Sequence, residues 1–192
     1  MRAGKWLKSA RTGWTEAERV LAADAQNLIR PAVRAGEKWA DLGAGSGTFA
    51  AALSALLGPS GAVLAIDQDA RALHQISAVV GGAPVQTLTA DFTALPPLPP
   101  QDGLLLANSL HFVKSQSVML ERLRGLLQPS KVLIVEYDLE RGSVWVPRPL
   151  SFAKLQTLCA ELGWPAPKKL AEQPSRYQWA MIYSALIAWV ES

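Results

Sequence analysis

Apolar positions along this chain follow two patterns, one with helical spacing and one with short unbroken runs. Leu21, Ala25 and Leu28 recur at the helical period after Thr15, which predicts an amphipathic helix closed by Pro31. Strands are predicted at residues 37–42, 62–66, 85–89, 104–107 and 132–135, and residues 62–66 form a continuous apolar run. Runs that are apolar on both faces are typical of parallel strands covered on both sides by helices.

Helices are predicted between these strands, at residues 48–57, 69–80, 115–127 and 151–162. Asp69, Ser115 and Ser151 begin three of them as N-cap residues. Strands alternate with helices, and the connections are too long for hairpins, so the pattern predicts a doubly wound α/β sheet. The strand order does not follow from the pattern. The carboxyl ends of the parallel strands nevertheless share one edge, where such sheets bind ligands.

The tail of the chain departs from this alternation. Residues 167–172 and 177–189 predict two further strands joined by a short link, which implies an antiparallel pair. The apolar spacing of the second segment would also suit a helix, so both interpretations stand at this stage.

Composition narrows the class of protein. The chain has 192 residues, of which 49% are hydrophobic and 18% charged, and this excludes a disordered chain. A single cysteine cannot form an internal disulfide, and no Cys/His cluster has zinc spacing, so no metal is predicted. The longest apolar run, residues 180–190, is shorter than the roughly 20 residues of a membrane-spanning helix. We therefore expect a soluble, cytoplasmic, globular protein.

The charge is weakly basic and unevenly placed. A net charge of +3 and an isoelectric point near 9.2 are too small an excess for a nucleic-acid-binding domain. Four cations precede the first acid, Glu16, and they are Arg2, Lys5, Lys8 and Arg11. Residues 1–14 are therefore predicted to be a basic arm, either disordered and solvated or, because Trp6 and Trp14 lie among the charges, a lid. Residues 15–192 are predicted to form one domain, and the oligomeric state stays open.

The most informative segment is residues 41–47, which lie between a predicted strand and a predicted helix. Gly43, Gly45 and Gly47 allow a sharp turn and a close approach of the backbone to a ligand. Asp67 ends the next strand, where a carboxylate can accept both hydroxyls of a ribose.

The glycine spacing also distinguishes two classes of ligand. Dinucleotide-binding proteins use Gly-x-Gly-x-x-Gly and direct the helix N-terminus at a pyrophosphate. Here the third glycine comes one residue earlier, and Asp41 lies at the mouth of the loop. A carboxylate repels a pyrophosphate and attracts an amino group or a sulfonium, so the loop favours a zwitterionic or cationic ligand.

These features resemble the ordered motifs of the class I S-adenosylmethionine-dependent methyltransferases. The resemblance extends over roughly residues 37–190 and rests on five segments, which are residues 39–50, 65–67, 89–92, 102–112 and 126–136. It implies a Rossmann-like, seven-stranded, mostly parallel sheet whose last strand is antiparallel. It also implies S-adenosylmethionine as the cofactor and S-adenosylhomocysteine as the product.

The resemblance also assigns roles along the cofactor. The glycines, with Ala44 between them, make room for the methionine moiety, and Asp41 orients its amino group. Asp67 holds the ribose, Gln68 lies along the adenine, Asp91 bonds the adenine amino group and Phe92 packs on the ring. Asn108 and Ser109 lie under the sulfonium. The implied cofactor-binding set is Asp41, Gly43, Ala44, Gly45, Gly47, Asp67, Gln68, Asp91, Phe92, Asn108 and Ser109. Asp67 and Asp91 have an alternative role as caps of the segments that follow them.

Methyl transfer needs a base only when the acceptor must lose a proton. His111 follows the fourth strand on the ligand-binding edge and is the candidate base, with packing inside the loop as the alternative. The candidate acceptor-side residues are Tyr137, Arg141, Arg176 and Tyr177.

The sequence lacks the motifs that accompany methylation of adenine, glutamine amide or cytosine. The predicted methyl acceptor is therefore a small molecule, and neither nucleic acid nor a membrane is predicted as a partner. The predicted function is that of a methyltransferase. The first alternative is a module that binds the cofactor without acceptor chemistry, and a weaker one is a nicotinamide-dependent reductase.

Overall fold

A computed structural model describes residues 16–175 and 180–189 of the chain. The helices are α1 (Glu16–Ile29), α2 (Thr48–Leu57), α3 (Ala70–Leu73), α4 (Gln116–Leu127) and α5 (Phe152–Glu161). The strands are β1 (Lys38–Leu42), β2 (Ala62–Asp67), β3 (Val85–Thr89), β4 (Gly103–Ala107), β5 (Lys131–Tyr137), β6 (Lys168–Pro174) and β7 (Met181–Ala188). The segment predicted to be a basic arm or lid lies outside the described residues.

All seven strands form one sheet in the order β3-β2-β1-β4-β5-β7-β6. The pairs among β1 to β5 are parallel, and β7 is antiparallel to both of its neighbours, β5 and β6. This arrangement confirms the doubly wound, mostly parallel sheet with an antiparallel last strand. The described part of the ambiguous segment near the end of the chain is therefore a strand, and its residues 182–188 pair with β5.

The central strands contribute to two hydrophobic layers, one on each face of the sheet, because successive side chains of a strand point to opposite faces. On β4, Leu104 and Leu106 pack with α4 and α5, whereas Leu105 packs with α1 and α2 on the other face. All five residues of β4 are buried, as expected for the middle of such a sheet. The sheet is thus covered on both sides, and its carboxyl edge is left to form a site.

The prediction of a helix from Asp69 to Val80 is wrong, because α3 ends at Leu73. The amides of Gln75 and Ile76 bond to carbonyls three residues back, which tightens and ends the helix. Residues 76–80 contain three β-branched side chains, which favour extended backbone over helix.

Two of the three predicted N-caps form. The Asp69 carboxylate accepts hydrogen bonds from the amides of Arg71 at 2.9 Å and Ala72 at 3.2 Å. The Ser151 hydroxyl accepts one from the Lys154 amide at 3.3 Å. Ser115 stands at the start of α4, but its hydroxyl makes no capping bond, so this part of the prediction is wrong.

Candidate functional site

A cavity of about 670 Å³ lies at the carboxyl edge of the sheet. The turns after β1, β2, β3 and β4 all contribute to its wall, and their residues in it include Gly43, Asp67, Gln68, Asp91, Phe92, Asn108 and Ser109. The structure therefore brings together seven of the predicted cofactor-binding residues. Asp41, Ala44, Gly45 and Gly47 are not part of the wall.

The three glycines after β1 have left-handed backbone conformations, with φ values of +81°, +53° and +90° for Gly43, Gly45 and Gly47. A Cβ at Gly43 would lie 2.6 Å from the Ser109 Cβ, and one at Gly47 would lie 2.5 Å from the Ile76 Cγ1. A Cβ at Gly45 would meet no atom within 4 Å. Two of the glycines are thus required by close packing inside the protein, and Gly45 is the one that faces open space.

The loop is joined to the end of β2 by its backbone. The amides of Gly43 and Ala44 donate to the Ile66 carbonyl at 2.8 and 3.0 Å. The Gly45 amide donates to Asp67 Oδ2 at 2.8 Å. These bonds fix the course of the loop above the strand ends.

Asp67 is half-buried at the boundary between the loop and the cavity. Its second oxygen, Oδ1, accepts the Asp69 amide at 2.8 Å, so the alternative role of capping the next segment is present as well. Each carboxylate oxygen has two lone pairs, and both can accept a further hydrogen bond from a ligand hydroxyl.

Asp41 lies at the end of β1 and is 1% exposed. Neither of its carboxylate oxygens has a hydrogen-bond partner. Burial, together with repulsion from the nearby Asp67, raises the pKa of Asp41 to about 7, and the neighbouring Ala50 amide only partly opposes this shift. The site thus contains a buried acid that is able to change its protonation near neutral pH.

Asp91 and Phe92 form the wall after β3. Asp91 is exposed, and its Oδ1 accepts both the amide and the hydroxyl of Thr93, at 2.8 and 2.7 Å. The capping role that the sequence left open for Asp91 is therefore present. The Arg122 guanidinium donates to the Thr93 carbonyl at 2.8 Å and ties this turn to α4.

Asn108 has a left-handed backbone, with φ of +52°, which is uncommon for a residue other than glycine. Its amide donates to the Val135 carbonyl at 2.8 Å, whereas its side-chain Oδ1 is buried without a partner. Ser109 is buried, and its hydroxyl donates to the Leu42 carbonyl at 2.8 Å. Asn108 thus has an unused acceptor beside the cavity, whereas the Ser109 hydroxyl joins two strand ends.

His111 is 2% exposed and is not part of the cavity wall. Its Nδ1 lies 2.8 Å from Oε2 of Glu136, and its amide donates to Oε1 of the same side chain at 3.2 Å. Glu136 is completely buried and is the second-last residue of β5. The sequence analysis did not select Glu136, although it is one of the carboxylates that follow an apolar strand.

Two of the four acceptor-side candidates, Tyr137 and Arg141, lie within the described residues. Tyr137 is half-buried, with its ring centroid 6.0 Å from that of His111, and Arg141 is exposed. Neither contributes to the cavity wall. Arg176 and Tyr177 lie outside the described residues.

The sequence analysis missed the contribution of the turn before α4 and of α4 itself. Phe112, Val118 and Arg122 line the far side of the cavity, and Phe112 and Val118 are 61% and 65% exposed. In residues 16–175 and 180–189, no three His, Cys, Asp or Glu side chains are grouped as a metal site requires. No helix in these ranges is long and apolar enough to cross a membrane.

Comparison by sequence finds one family for the central part of the chain. The model of a family described as a methyltransferase domain matches residues 40–130. This range contains the glycine-rich loop, the carboxyl ends of β1 to β4 and α4. No curated protein matches the chain significantly.

Comparison by structure finds many similar folds. A SAM-dependent methyltransferase from Aquifex aeolicus has a TM-score of 0.67 and 18% identity over 91% of this chain and 94% of the other. A cyclopropane-fatty-acyl-phospholipid synthase-like protein from Lactobacillus casei has a TM-score of 0.71 and 15% identity over 92% and 95%. A 1,6-didemethyltoxoflavin-N1-methyltransferase from Burkholderia thailandensis has a TM-score of 0.63 and 18% identity over 90% and 78%. At these identities the likeness establishes the fold.

Proposed function

We propose that this chain is a class I S-adenosylmethionine-dependent enzyme that binds S-adenosylmethionine and methylates a small molecule. The methyltransferase-domain match over residues 40–130 and the fold shared with solved methyltransferases support this proposal. The main support for this proposal is the set of residues that line the cavity. The cavity at the carboxyl edge is lined from four successive strand ends by a glycine-rich turn, two carboxylates, an aromatic ring and an amide. Its volume of about 670 Å³ is within the usual range for sites that bind small molecules and cofactors.

The residues around the cavity fit the proposed cofactor. Asp67 would accept the ribose hydroxyls, Asp91 the adenine amino group, and Phe92 would pack on the adenine with Gln68 beside it. Asn108 lines the cavity, and its buried Oδ1 would gain a partner if its side chain turned toward a ligand donor, since a buried polar atom without a partner is costly. The buried Asp41 favours a ligand with a positively charged amino group.

When bound, S-adenosylmethionine supplies a methyl group that its sulfonium already activates. The protein therefore has two remaining tasks, which are to orient the acceptor and to accept any proton that the acceptor loses. We assign the second task to His111, whose backbone carbonyl and amide are both held by hydrogen bonds near the strand ends. Tyr137, Arg141, Arg176 and Tyr177 remain predictions for the acceptor side.

A small acceptor is supported by two observations. The Burkholderia structure contains bound 1,6-didemethyltoxoflavin in a protein of the same fold. The exposed faces of Phe112 and Val118 offer an apolar surface beside the cavity, on which a planar or apolar acceptor could rest. The cytoplasmic location stays a prediction.

Calorimetric titration of the full chain tests the cofactor. We expect S-adenosylmethionine and S-adenosylhomocysteine to bind and NADH not to bind. Folded protein that binds neither S-adenosyl compound would overturn the proposal, and preferential binding of NADH would support the reductase instead.

Transfer is tested separately with methyl-labelled S-adenosylmethionine and a panel of phenols, amines, thiols and carboxylic acids. Labelled product from any of them supports an enzyme. Tight cofactor binding without transfer to any member of the panel favours the binding module that the sequence left open.

A further inference from the structure

Two large apolar side chains lie next to each other on the surface of the loop between β5 and α5. Val144 is 90% exposed and Trp145 is 80% exposed. Single exposed apolar side chains are common on protein surfaces, whereas two large neighbouring ones indicate a contact with something apolar. Neither side chain contributes to the wall of the cavity, so the proposed cofactor does not account for their exposure.

Both side chains belong to residues 143–146, here called the Trp145 bend, which hydrogen bonds hold in shape. The Ser143 amide donates to the Val146 carbonyl at 3.0 Å, and the Val146 amide donates to the Ser143 hydroxyl at 3.1 Å. Val146 is buried and anchors the bend to the body of the protein. The bend therefore keeps Val144 and Trp145 in solvent as part of an ordered structure.

Further hydrogen bonds join this loop to the turn after β4. The Arg148 amide donates to the His111 carbonyl at 3.1 Å, and its guanidinium donates to the Phe112 carbonyl at 3.3 Å. The Gln116 side chain donates to the Arg148 carbonyl at 3.0 Å. Phe112 lines the cavity, so the Trp145 bend lies at the same edge of the sheet as the cavity.

The unpaired charges around the bend are positive. Arg141 and Arg148 flank it in the sequence, Lys114 lies in the turn after β4, and all three are exposed. None of the three is within ion-pair distance of a carboxylate in the part of the chain that the structure describes. The acids of the same loop are already paired, at 3.5 Å each, as Lys169–Asp138 and Lys154–Glu140.

An exposed tryptophan among cations has the chemistry that an anionic lipid surface binds. Tryptophan favours the headgroup level of a bilayer, because its ring is apolar and its N–H can still reach water. Arginine and lysine are attracted to the negative charge of anionic lipids. A stable protein interface would instead take about 20–30 residues from each partner, whereas the bend offers two apolar side chains.

We infer that the Trp145 bend attaches the protein to an anionic membrane surface, with Val144 and Trp145 among the headgroups and Arg141 and Arg148 on the lipid phosphates. No membrane partner is predicted from the sequence, because no apolar run is long enough to span a bilayer. Attachment to a surface needs no such run. The inference goes beyond the proposed function and does not rest on it. Attachment would bring the cavity close to the lipid, since the bend and the cavity lie at the same edge of the sheet.

Sedimentation of the full chain with lipid vesicles measures attachment. We expect the wild type to bind vesicles of phosphatidylcholine that contain about 30% phosphatidylglycerol, and to bind pure phosphatidylcholine at least about tenfold more weakly. Added salt should weaken binding to the anionic vesicles, because it screens the attraction between the cations and the lipid.

Substitutions with matched controls identify the attachment point. Trp145→Ser should lower the partition coefficient on anionic vesicles by about tenfold or more, because an apolar contact is lost. Val144→Ser should lower it less, and Val80→Ser, which removes a similarly exposed valine before β3, should leave it unchanged. Arg141→Gln should lower it about fivefold at low salt. Arg34→Gln, which removes an exposed cation before β1 at the amino edge of the sheet, should have no effect.

A fluorescent dye locates the contact directly. Cys159 is the single cysteine and is buried, so a cysteine introduced on the surface is the one that reacts. A polarity-sensitive dye on Val144→Cys should shift its emission to shorter wavelength when anionic vesicles are added. The same dye on Val80→Cys should show no shift.

Three results would overturn the inference: wild-type protein that does not bind anionic vesicles, binding that Trp145→Ser leaves unchanged, and a dye at position 144 that does not shift in the bound protein. A dimer in light scattering that Trp145→Ser dissociates, without vesicle binding, would overturn it in favour of a second copy of the chain. Titration with S-adenosylhomocysteine is independent of these measurements. Normal titration by protein that does not bind vesicles removes only the membrane contact, whereas vesicle binding by folded protein that does not bind S-adenosylhomocysteine removes only the proposed function.

Discussion

The Gly45 amide donates to the Asp67 carboxylate at 2.8 Å, which joins the glycine-rich turn after β1 to the end of β2. This bond orients the carboxylate before any ligand arrives. The Asp69 amide holds the other oxygen from the opposite side, so Asp67 is fixed at both oxygens. A preoriented carboxylate loses little conformational entropy when it binds hydroxyl groups.

Asp67→Asn should weaken the binding of S-adenosylhomocysteine by about 1–3 kcal/mol, because charge-assisted hydrogen bonds to the ribose are lost. Calorimetric titration measures the change. Asp69→Asn is the control, since asparagine caps a helix as well as aspartate does and Asp69 is outside the cavity wall. Equal affinity of Asp67→Asn and the wild type would reduce Asp67 to a structural cap.

Gly45 and Gly58 form a matched pair for testing the loop. Both have left-handed backbones, with φ of +53° and +65°, and a Cβ at either would meet no atom within 4 Å. Alanine at either position should therefore be strained by about 1–3 kcal/mol, with the larger cost at Gly58, whose ψ of −179° only glycine adopts readily. Gly58 ends α2, at the opposite edge of the sheet from the cavity. We expect Gly45→Ala to lose S-adenosylhomocysteine binding and Gly58→Ala to keep it, even though Gly58→Ala should lower Tm at least as much. If Gly45→Ala and Gly58→Ala bound S-adenosylhomocysteine with equal affinity, the cofactor would have to bind away from this loop.

Asp41 should make the stability of the free protein depend on pH. Its pKa is about 7 in the folded state, against an ordinary 3.8. Between these values the folded protein keeps a proton that the unfolded chain has released, so the free energy of unfolding falls as the pH rises from about 4 to about 7. Asp41→Asn should flatten this slope and raise the stability at pH 8, by at most about 4 kcal/mol. Urea unfolding at several pH values measures both effects, and a slope that the substitution leaves unchanged would contradict the prediction.

The same acid should couple cofactor binding to protons. A ligand ammonium favours the ionised form of Asp41, so binding should release a proton below about pH 7, and affinity should increase as the pH rises through this range. Titrations of S-adenosylhomocysteine in buffers with different ionisation enthalpies measure the released proton. Asp41→Asn should abolish this proton release. If the variant still released a proton on binding, the proton would have to come from another group.

Cys159 should report unfolding. It is the single cysteine, it is 1% exposed, and burial raises the pKa of its thiol to about 11. Because the thiolate is the reactive form, aromatic disulfide reagents at about pH 8 should label the unfolded chain rapidly and the native protein only through transient unfolding. S-adenosylhomocysteine should slow the labelling further, since it stabilises the folded state. Rapid labelling of native protein would contradict the burial of this thiol.

The middle of the sheet was predictable because its strands are apolar on both faces. The run predicted at residues 104–107 begins one residue after the start of β4 and ends with it, and the run predicted at residues 132–135 lies wholly within β5. The fold that the resemblance to class I methyltransferases implied is confirmed, including the antiparallel last strand, and a methyltransferase-domain family matches residues 40–130. The length of the helix after Asp69 was overestimated. The N-cap and the apolar spacing favour a longer helix, but the β-branched residues that follow end it after one turn.

The site was predictable where chemistry follows a strand end directly. Asp67, Asp91 and Asn108 reach the cavity for this reason. The parts that were not predictable depend on contacts between distant segments. No local pattern joins His111 to Glu136 across 25 positions, and helical spacing alone does not tell which side of α4 brings Val118 to the cavity.

The position of β7 has a consequence for how the protein is made. β7 lies between β5 and β6, although it is the last of the three to be synthesised. While the chain is still growing on the ribosome, β6 has no neighbour to pair with, and the outer side of β5 stays open until residues 181–188 emerge. The amino-terminal five strands can assemble during translation, whereas the other flank can close only after β7 has emerged, because β7 is the strand that joins β6 to β5.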